Sequence, residues 1–431
     1  MVETIQEVKA IQVLDSRGNP TMKVYVRTES QKGWAIVPSG ASTGVHEAIE
    51  LRDGKKAYGG KGVEKAVDNI NKLISKELEG IPITDQVKID GTMIDLDGTP
   101  NKSKLGGNAM IGVSLAAARA GAATKGEELY EYIGDLYGRD PEQKQRYVIP
   151  VPLANVINGG KHAGTELKFQ EFMLIPRRVS NFAEATQAIA ETYHILKSLV
   201  AEKYGGSATS VGDEGGFAPP IKSPQEALKL IEEAIHKAGY NRAMTIGMDV
   251  AASTFLKDGK YDMGGEPFSS DQMIRYYEQL VEMHNLRSIE DPFGEDDLQA
   301  WTKLMERISK KRKVQIVGDD LTVTNEQRVR MAANKNMCNA MILKTNQVGT
   351  LTEALAAAKA AHLSGWEIIV SHRSGDTEDP FIADLAVGIG ASQIKLGAPC
   401  RAERTSKYNR VLEIESRLKK SEYAGKRLKI F

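Results

Sequence analysis

The sequence predicts an α/β protein: a (β/α)8-type barrel, irregular at its start, preceded by a smaller α+β N-terminal domain. Three observations predict it. Strand-like and helix-like stretches alternate from about residue 148 onward, the signature of a parallel sheet. Roughly eight strands over about 290 residues suit a closed barrel better than an open sheet. Six short apolar runs in the second half each finish on a charged or catalytic-type residue. In a parallel barrel all such strand ends open on one face, where active sites sit.

The elements follow in order. Residues 5–14, 21–27 and 33–37 read as strands, the first two rich in β-branched side chains. A Gly- and Ser-rich loop comes next, Pro38-Ser39-Gly40-Ala41-Ser42-Thr43-Gly44. Residues 63–78 carry Val63, Ala66, Val67, Ile70, Leu73 and Ile74 at helical spacing. Residues 108–121 form a small-residue helix suited to close packing. The polar, turn-prone stretch after Gly138 marks a boundary, dividing an α+β domain (1–140) from a (β/α) barrel (141–431). Beyond it, 151–157 and 171–175 are strands, 181–204 is helical, and 209–212 leads into Asp213-Glu214-Gly215-Gly216. No good helix separates the first two of these strands, hence the irregular start.

The strand ends carry the chemistry. Thr245-Ile246-Gly247-Met248 stops at Asp249, Leu286-Arg287-Ser288-Ile289 at Glu290, and Gln315-Ile316-Val317-Gly318 at Asp319. Ala340-Met341-Ile342-Leu343 stops at Lys344, the run after Glu367 enters Ser371-His372-Arg373, and Ser392-Gln393-Ile394 stops at Lys395. Asp249, Glu290 and Asp319 should converge, and like charges so placed need a cation between them. All-oxygen donors favour Mg²⁺ or Mn²⁺, although a slip of one residue would exchange Asp319 for Asp320. Lys344 and Lys395 are expected to have pKa values lowered by burial or by a neighbouring cation, which suits a general base. Glu171 and Glu214 form a second acidic set able to hold a proton for a leaving hydroxide. His162 lies in a glycine-flanked loop, and Arg373 with Ser374 is good phosphate chemistry.

Composition narrows the class. Lys+Arg and Asp+Glu both number 57 in 431 residues, a balance that argues against a nucleic-acid partner. No apolar run reaches membrane-spanning length, and the N-terminus lacks signal-peptide features, so a cytoplasmic protein is expected. Cys338 and Cys400 fit no zinc spacing and read as reduced, structural thiols.

Taken together, these stretches resemble the enolase family. The resemblance runs from Leu14-Asp15-Ser16-Arg17-Gly18-Asn19-Pro20-Thr21 to the segment after Arg401, and is most specific at Ser39–Gly44, Gln170–Met173, Gly212–Gly216, Ser288–Pro292, Gly318–Asn325 and Ser371–Gly375. It implies reversible dehydration of 2-phospho-D-glycerate to phosphoenolpyruvate. Lys344 would remove the C2 proton, while Glu214, helped by Glu171, would assist departure of the C3 hydroxyl. Asp249, Glu290 and Asp319 would hold one Mg²⁺, and Ser39, on the flap, would help bind a second that arrives with substrate. Gln170, His372 and Lys395 would contact substrate, Arg373 and Ser374 its phosphate, and His162 would close over it. A homo-oligomer, a dimer or an octamer of dimers, is also implied. Two alternatives remain open at this point: a superfamily enzyme for a non-phosphorylated acid, and a scaffold without catalysis.

Overall fold

The computed structural model describes residues 2–40, 44–139, 146–309 and 313–428. Residues 41–43 of the flap and the predicted boundary at residue 140 lie outside the described residues.

Three antiparallel strands, β1 (Glu7–Leu14), β2 (Pro20–Arg27) and β3 (Lys32–Ile36), form the N-terminal sheet. Met22, Val24 and Val26 alternate inward along β2 and are fully buried, the period of a sheet with one covered face. The cover is helix α1 (Gly107–Lys125), whose Gly- and Ala-rich surface is buried along most of its length. Its small side chains allow the backbones to approach closely. A Cβ built on Gly33 would stand 2.0 Å from the Ala116 carbonyl oxygen. Gly33→Ala should therefore cost about 1–3 kcal/mol through overpacking. Gly91 lies in the helix Gln86–Asp97 with open space around its Cβ position. There, Gly91→Ala should stabilise by about 0.5–1 kcal/mol. Thermal midpoints of the two variants should move in opposite directions, and a shared direction would contradict the packing account.

The helical layer is tied to the barrel by polar links. Arg119 pairs with Asp379, whose carboxylate also accepts from the Ile36 amide at 2.9 Å. Ser114 Oγ accepts from the Leu351 amide (2.9 Å), and Lys102 pairs with Glu353 at 2.8 Å.

Eight strands close the barrel: β4 (Val151–Asn158), β5 (Glu171–Ile175), β6 (Thr245–Asp249), β7 (Leu286–Glu290), β8 (Gln315–Gly318), β9 (Ala340–Leu343), β10 (Glu367–Ser371) and β11 (Gln393–Lys395). Neighbours pair in parallel except around β5, which is antiparallel to both β4 and β6. The expected irregular start takes this form. Residues 159–170 link β4 to β5 with only a short turn, Gly160–His162, and a parallel return would require a crossover, usually a helix. Residues 209–212, read from sequence as leading into the acidic loop, form no strand, only an isolated bridge between Val211 and Phe217.

Candidate active site

Because β5 runs backwards, its first residue rather than its last reaches the barrel mouth. Glu171 stands opposite Asn158 and Asp249, and Asp249 opposite Glu290. On the far side Ser371 pairs in register with Lys395. One small cavity is lined by His162, Gln170, Glu171, Glu214, Asp249, Asp319, Lys344, Ser371, His372, Arg373, Ser374 and Lys395. Every predicted site residue except Glu290 and Ser39 lines it, and Ser371 joins them. Glu290 reaches it through Lys395, both carboxylate oxygens lying 3.0 Å from Lys395 Nζ.

Two lysines organise the charge. Lys395 Nζ also lies 3.0 Å from Glu171 and 3.3 Å from Asp249. Lys344 Nζ donates to Asp319 Oδ2, while Asp319 Oδ1 accepts from Gln347 Nε2 at 2.9 Å. The expectation of lowered lysine pKa values is corrected here. Burial acts downward, yet Asp319 raises Lys344, and Glu171 with Glu290 raises Lys395 well above the ordinary ammonium range. Charge balance outweighs desolvation because each ammonium touches carboxylate.

The acids divide by surroundings. Burial, then the Glu214 charge, pushes Glu171 well above the usual carboxyl range. For Glu214 burial also acts upward, but His372, His162 and Lys395 hold it well below. Burial keeps both imidazoles below their ordinary value, His372 at about 4, so near neutral pH Lys395 is the real positive charge of that group. The two glutamates are best described as a pair sharing one proton.

The residues fit a divalent cation. Glu171, Glu214, Asp249, Glu290 and Asp319 are buried carboxylates that face, among the described residues, two ammonium groups, Lys344 and Lys395. Gln170 Oε1 and His162 Nδ1 are buried without a hydrogen-bond partner among the described residues, a common mark of a ligand site. Among the described residues two groups of donors lie within 4.8 Å of one another, His162, Glu171 and Glu214, and Asp291, Asp319 and Asp320, whereas Asp249, Glu290 and Asp319 do not form such a group. However, the Asp291 carboxylate is committed to the amides of Asp319 (2.9 Å) and Asp320 (2.8 Å). It acts as a strut between the ends of β7 and β8, in a residue with φ of 41°, a backbone region that costs energy outside glycine.

Excess buried charge should also appear as a pH effect. Burial and Asp249 push Glu290 up from an ordinary 4.5 to about 8. A folded-state pKa raised in this way contributes stability that is full below about pH 4.5 and is lost as pH rises through about 8. The thermal midpoint of chelator-treated protein should fall between about pH 6 and about pH 8.5. Added Mg²⁺ should raise it more at the higher pH, since metal and proton compete for the same oxygens. A metal-induced shift that does not change with pH would contradict this charge account.

The phosphate-type residues sit against the N-terminal layer. Arg373 Nη1 donates to Glu47 Oε2 (3.0 Å) and to Asn346 Oδ1 (3.0 Å), and Nη2 to Glu47 Oε1 (3.3 Å). Glu47 Oε1 also accepts from the Gly44 amide at 3.0 Å. Ser39 exchanges backbone hydrogen bonds with Gly375, at 2.7 and 2.9 Å. Its hydroxyl donates to Glu50 (3.0 Å) and accepts from Arg52 (3.1 Å), so it is engaged with this pair rather than with Asp249, Glu290 or Asp319.

Sequence reading missed several partners. Asn155 donates to Glu214 Oε2 at 3.1 Å, and its signal was available: an amide in the middle of the otherwise apolar run of strand β4, which ends on a second, Asn158. Gln347 bridges Asp319 and Glu47, and no periodicity marks it. Glu47 lies just past the flap, with nothing in the sequence to tie it to Arg373.

Comparison with known proteins agrees with this arrangement. The family model described as "Enolase, N-terminal domain" matches residues 5–133, and "Enolase, C-terminal TIM barrel domain" matches residues 146–430. The chain is 50% identical over 423 residues to a curated protein named Enolase from Methanocaldococcus jannaschii, covering 98% of this chain and 97% of that protein.

Proposed function

The chain belongs to the enolase family, and on that premise we propose how its barrel mouth performs the family's reaction. The protein is a lyase, a phosphopyruvate hydratase, that reversibly dehydrates 2-phospho-D-glycerate to phosphoenolpyruvate. Metal-ion use follows from the same membership.

In this reading Arg373, with Ser374, binds the phosphate, its guanidinium fork matching the oxygens. Lys344 would first give up the proton it donates to Asp319, which a cation held by that carboxylate would favour. As a neutral amine it takes the C2 proton, and the electron pair passes into the substrate carboxylate as an enolate. Lys395, held among Glu171, Asp249 and Glu290, stabilises that charge. The Glu171/Glu214 pair then supplies its proton to the C3 hydroxyl, which departs as water while the enolate electrons form the C2–C3 double bond. Gln170 and His372 contact substrate from the cavity wall, and His162 closes over it on its loop, excluding water. Asp249, Glu290 and Asp319, with Ser39 at a second position, would hold Mg²⁺, two ions per site with the second arriving with substrate. Bound there, Mg²⁺ supplies charge that relieves the carboxylate excess and stabilises the enolate.

One observation carries the reading: base, acid pair and phosphate fork line a single cavity. Because Arg373 is part of that wall, a phosphorylated acid suits it better than a plain one. The division into a capping domain (1–140) and a barrel (141–431) belongs to the same proposal, supported by family matches that fall on either side of it. So do a homo-oligomer built from dimers and a cytoplasmic location. No helix among the described residues is long and apolar enough to cross a membrane. The test is ultraviolet detection of phosphoenolpyruvate formed from 2-phosphoglycerate, with Mg²⁺ and again after chelation. Absence of turnover by folded, metal-loaded protein would refute the reading.

A further inference from the structure

Arg404 lies in the first turn of helix α2 (Ala402–Arg417) and is completely buried. A cation is disfavoured near a helix N-terminus, and long charged side chains usually keep their heads in water. Its partners explain the exception. Nη1 donates to the Arg373 carbonyl (2.6 Å), and Nη2 to the carbonyls of Ser374 (2.7 Å) and Asp213 (2.9 Å). Nη1 also contacts His372 Nδ1. One guanidinium therefore joins the loop that carries Glu214 to the loop that carries His372 and Arg373.

A guanidinium can only donate hydrogen bonds, so His372 Nδ1 must accept. A neutral imidazole in that setting carries its proton on Nε2. Nε2 lies 3.3 Å from Glu214 Oε2, close enough to donate after the small realignment that catalytic contacts often make on substrate binding. The same oxygen already accepts from Asn155 Nδ2 at 3.1 Å. With Asn155 donating to Oε2 and His372 Nε2 within 3.3 Å of the same oxygen, a proton on Glu214 belongs on Oε1, the oxygen 3.7 Å from His162 Nδ1.

We propose that Arg404 is a positioning residue that locks His372 in its Nε2–H tautomer and thereby confines the deliverable proton of Glu214 to Oε1. The proposal rests on the assignment of Glu214 to proton delivery. The charged groups that act on His372 are Glu214, Arg404 and Asp376, and burial together with Arg404 holds its pKa low. The imidazole therefore stays neutral over the working range and acts as a fixed donor rather than as an acid.

The test is long-range ¹H–¹⁵N correlation on the full chain labelled at histidine, with His372 assigned by its loss in His372→Gln. Wild type should show a neutral His372 with Nε2 protonated from about pH 6 to about pH 9. Arg404→Lys keeps the charge but not the fork. It should mix the tautomers and lower kcat roughly 10²-fold, the scale of one general acid–base contribution, with KM little changed. Nδ1 protonation in wild type would overturn the proposal without any variant. So would a folded Arg404→Lys or Arg404→Gln protein that loses activity while its His372 tautomer is unchanged, because that is a purely structural role. Full activity in Glu214→Gln would instead sink the proton-delivery assignment and leave the tautomer result standing.

Discussion

Lys344→Ala should lower kcat by about 10³-fold or more, the scale expected for loss of a positioned general base. The size follows from the site's geometry. Lys344 is the cation on Asp319, and no other lysine among the described residues is in ion-pair contact with that carboxylate. Its removal also leaves Asp319 with the Gln347 amide as its one side-chain donor among the described residues. Asp319 is held below the usual carboxylate range because Lys344 outweighs burial, so its pKa should rise in the variant. Metal affinity should then become more dependent on pH. Lys344→Arg keeps the charge yet cannot serve as a base near neutral pH, which separates the two effects. The decisive measurement is exchange of the substrate C2 proton with deuterated solvent. Exchange at the wild-type rate in Lys344→Ala would assign the base to another group, whatever happened to turnover.

The second large effect is expected at Arg373. Its fork holds the Glu47 carboxylate, at 3.0 and 3.3 Å, and both side chains are buried. On the proposed function, substrate phosphate would compete with that carboxylate for the guanidinium. Truncating one member of a buried, hydrogen-bonded charge pair at a binding site typically costs about 2–5 kcal/mol. Arg373→Gln should accordingly raise KM by about 30-fold to several thousand-fold, while also leaving Glu47 buried without its cation. Arg373→Lys should recover only part of the loss, because a point charge cannot match a fork. Glu47→Gln should change KM in the opposite direction, since an amide competes poorly with phosphate for the guanidinium. Steady-state kinetics on the three variants decide the matter. An unchanged KM in Arg373→Gln would remove the phosphate role.

Much of the site was legible along the chain. Asp249, Glu290, Asp319, Lys344 and Lys395 were recognised because each ends an apolar run. A parallel barrel turns that one-dimensional fact into a shared face, so position along a strand implies position in space. Ser39, Arg373 and the glycine-flanked His162 are legible by residue type and by resemblance, not by period.

Other features depended on distances that periodicity does not encode. The direction of β5 is set by the short link before it, and only that reversal brings Glu171 level with Asp249. The sign of the lysine shifts depends on how many carboxylates surround each ammonium, a sum over strands far apart in sequence. Glu47 on Arg373 and Arg404 on His372 are likewise meetings of separate segments. The sequence by itself determined which residues end the strands, because side-chain pattern is a local property of the backbone. The tertiary structure decided which of those residues touch, and with what charge, because burial and long-range pairing exist only once the barrel has closed.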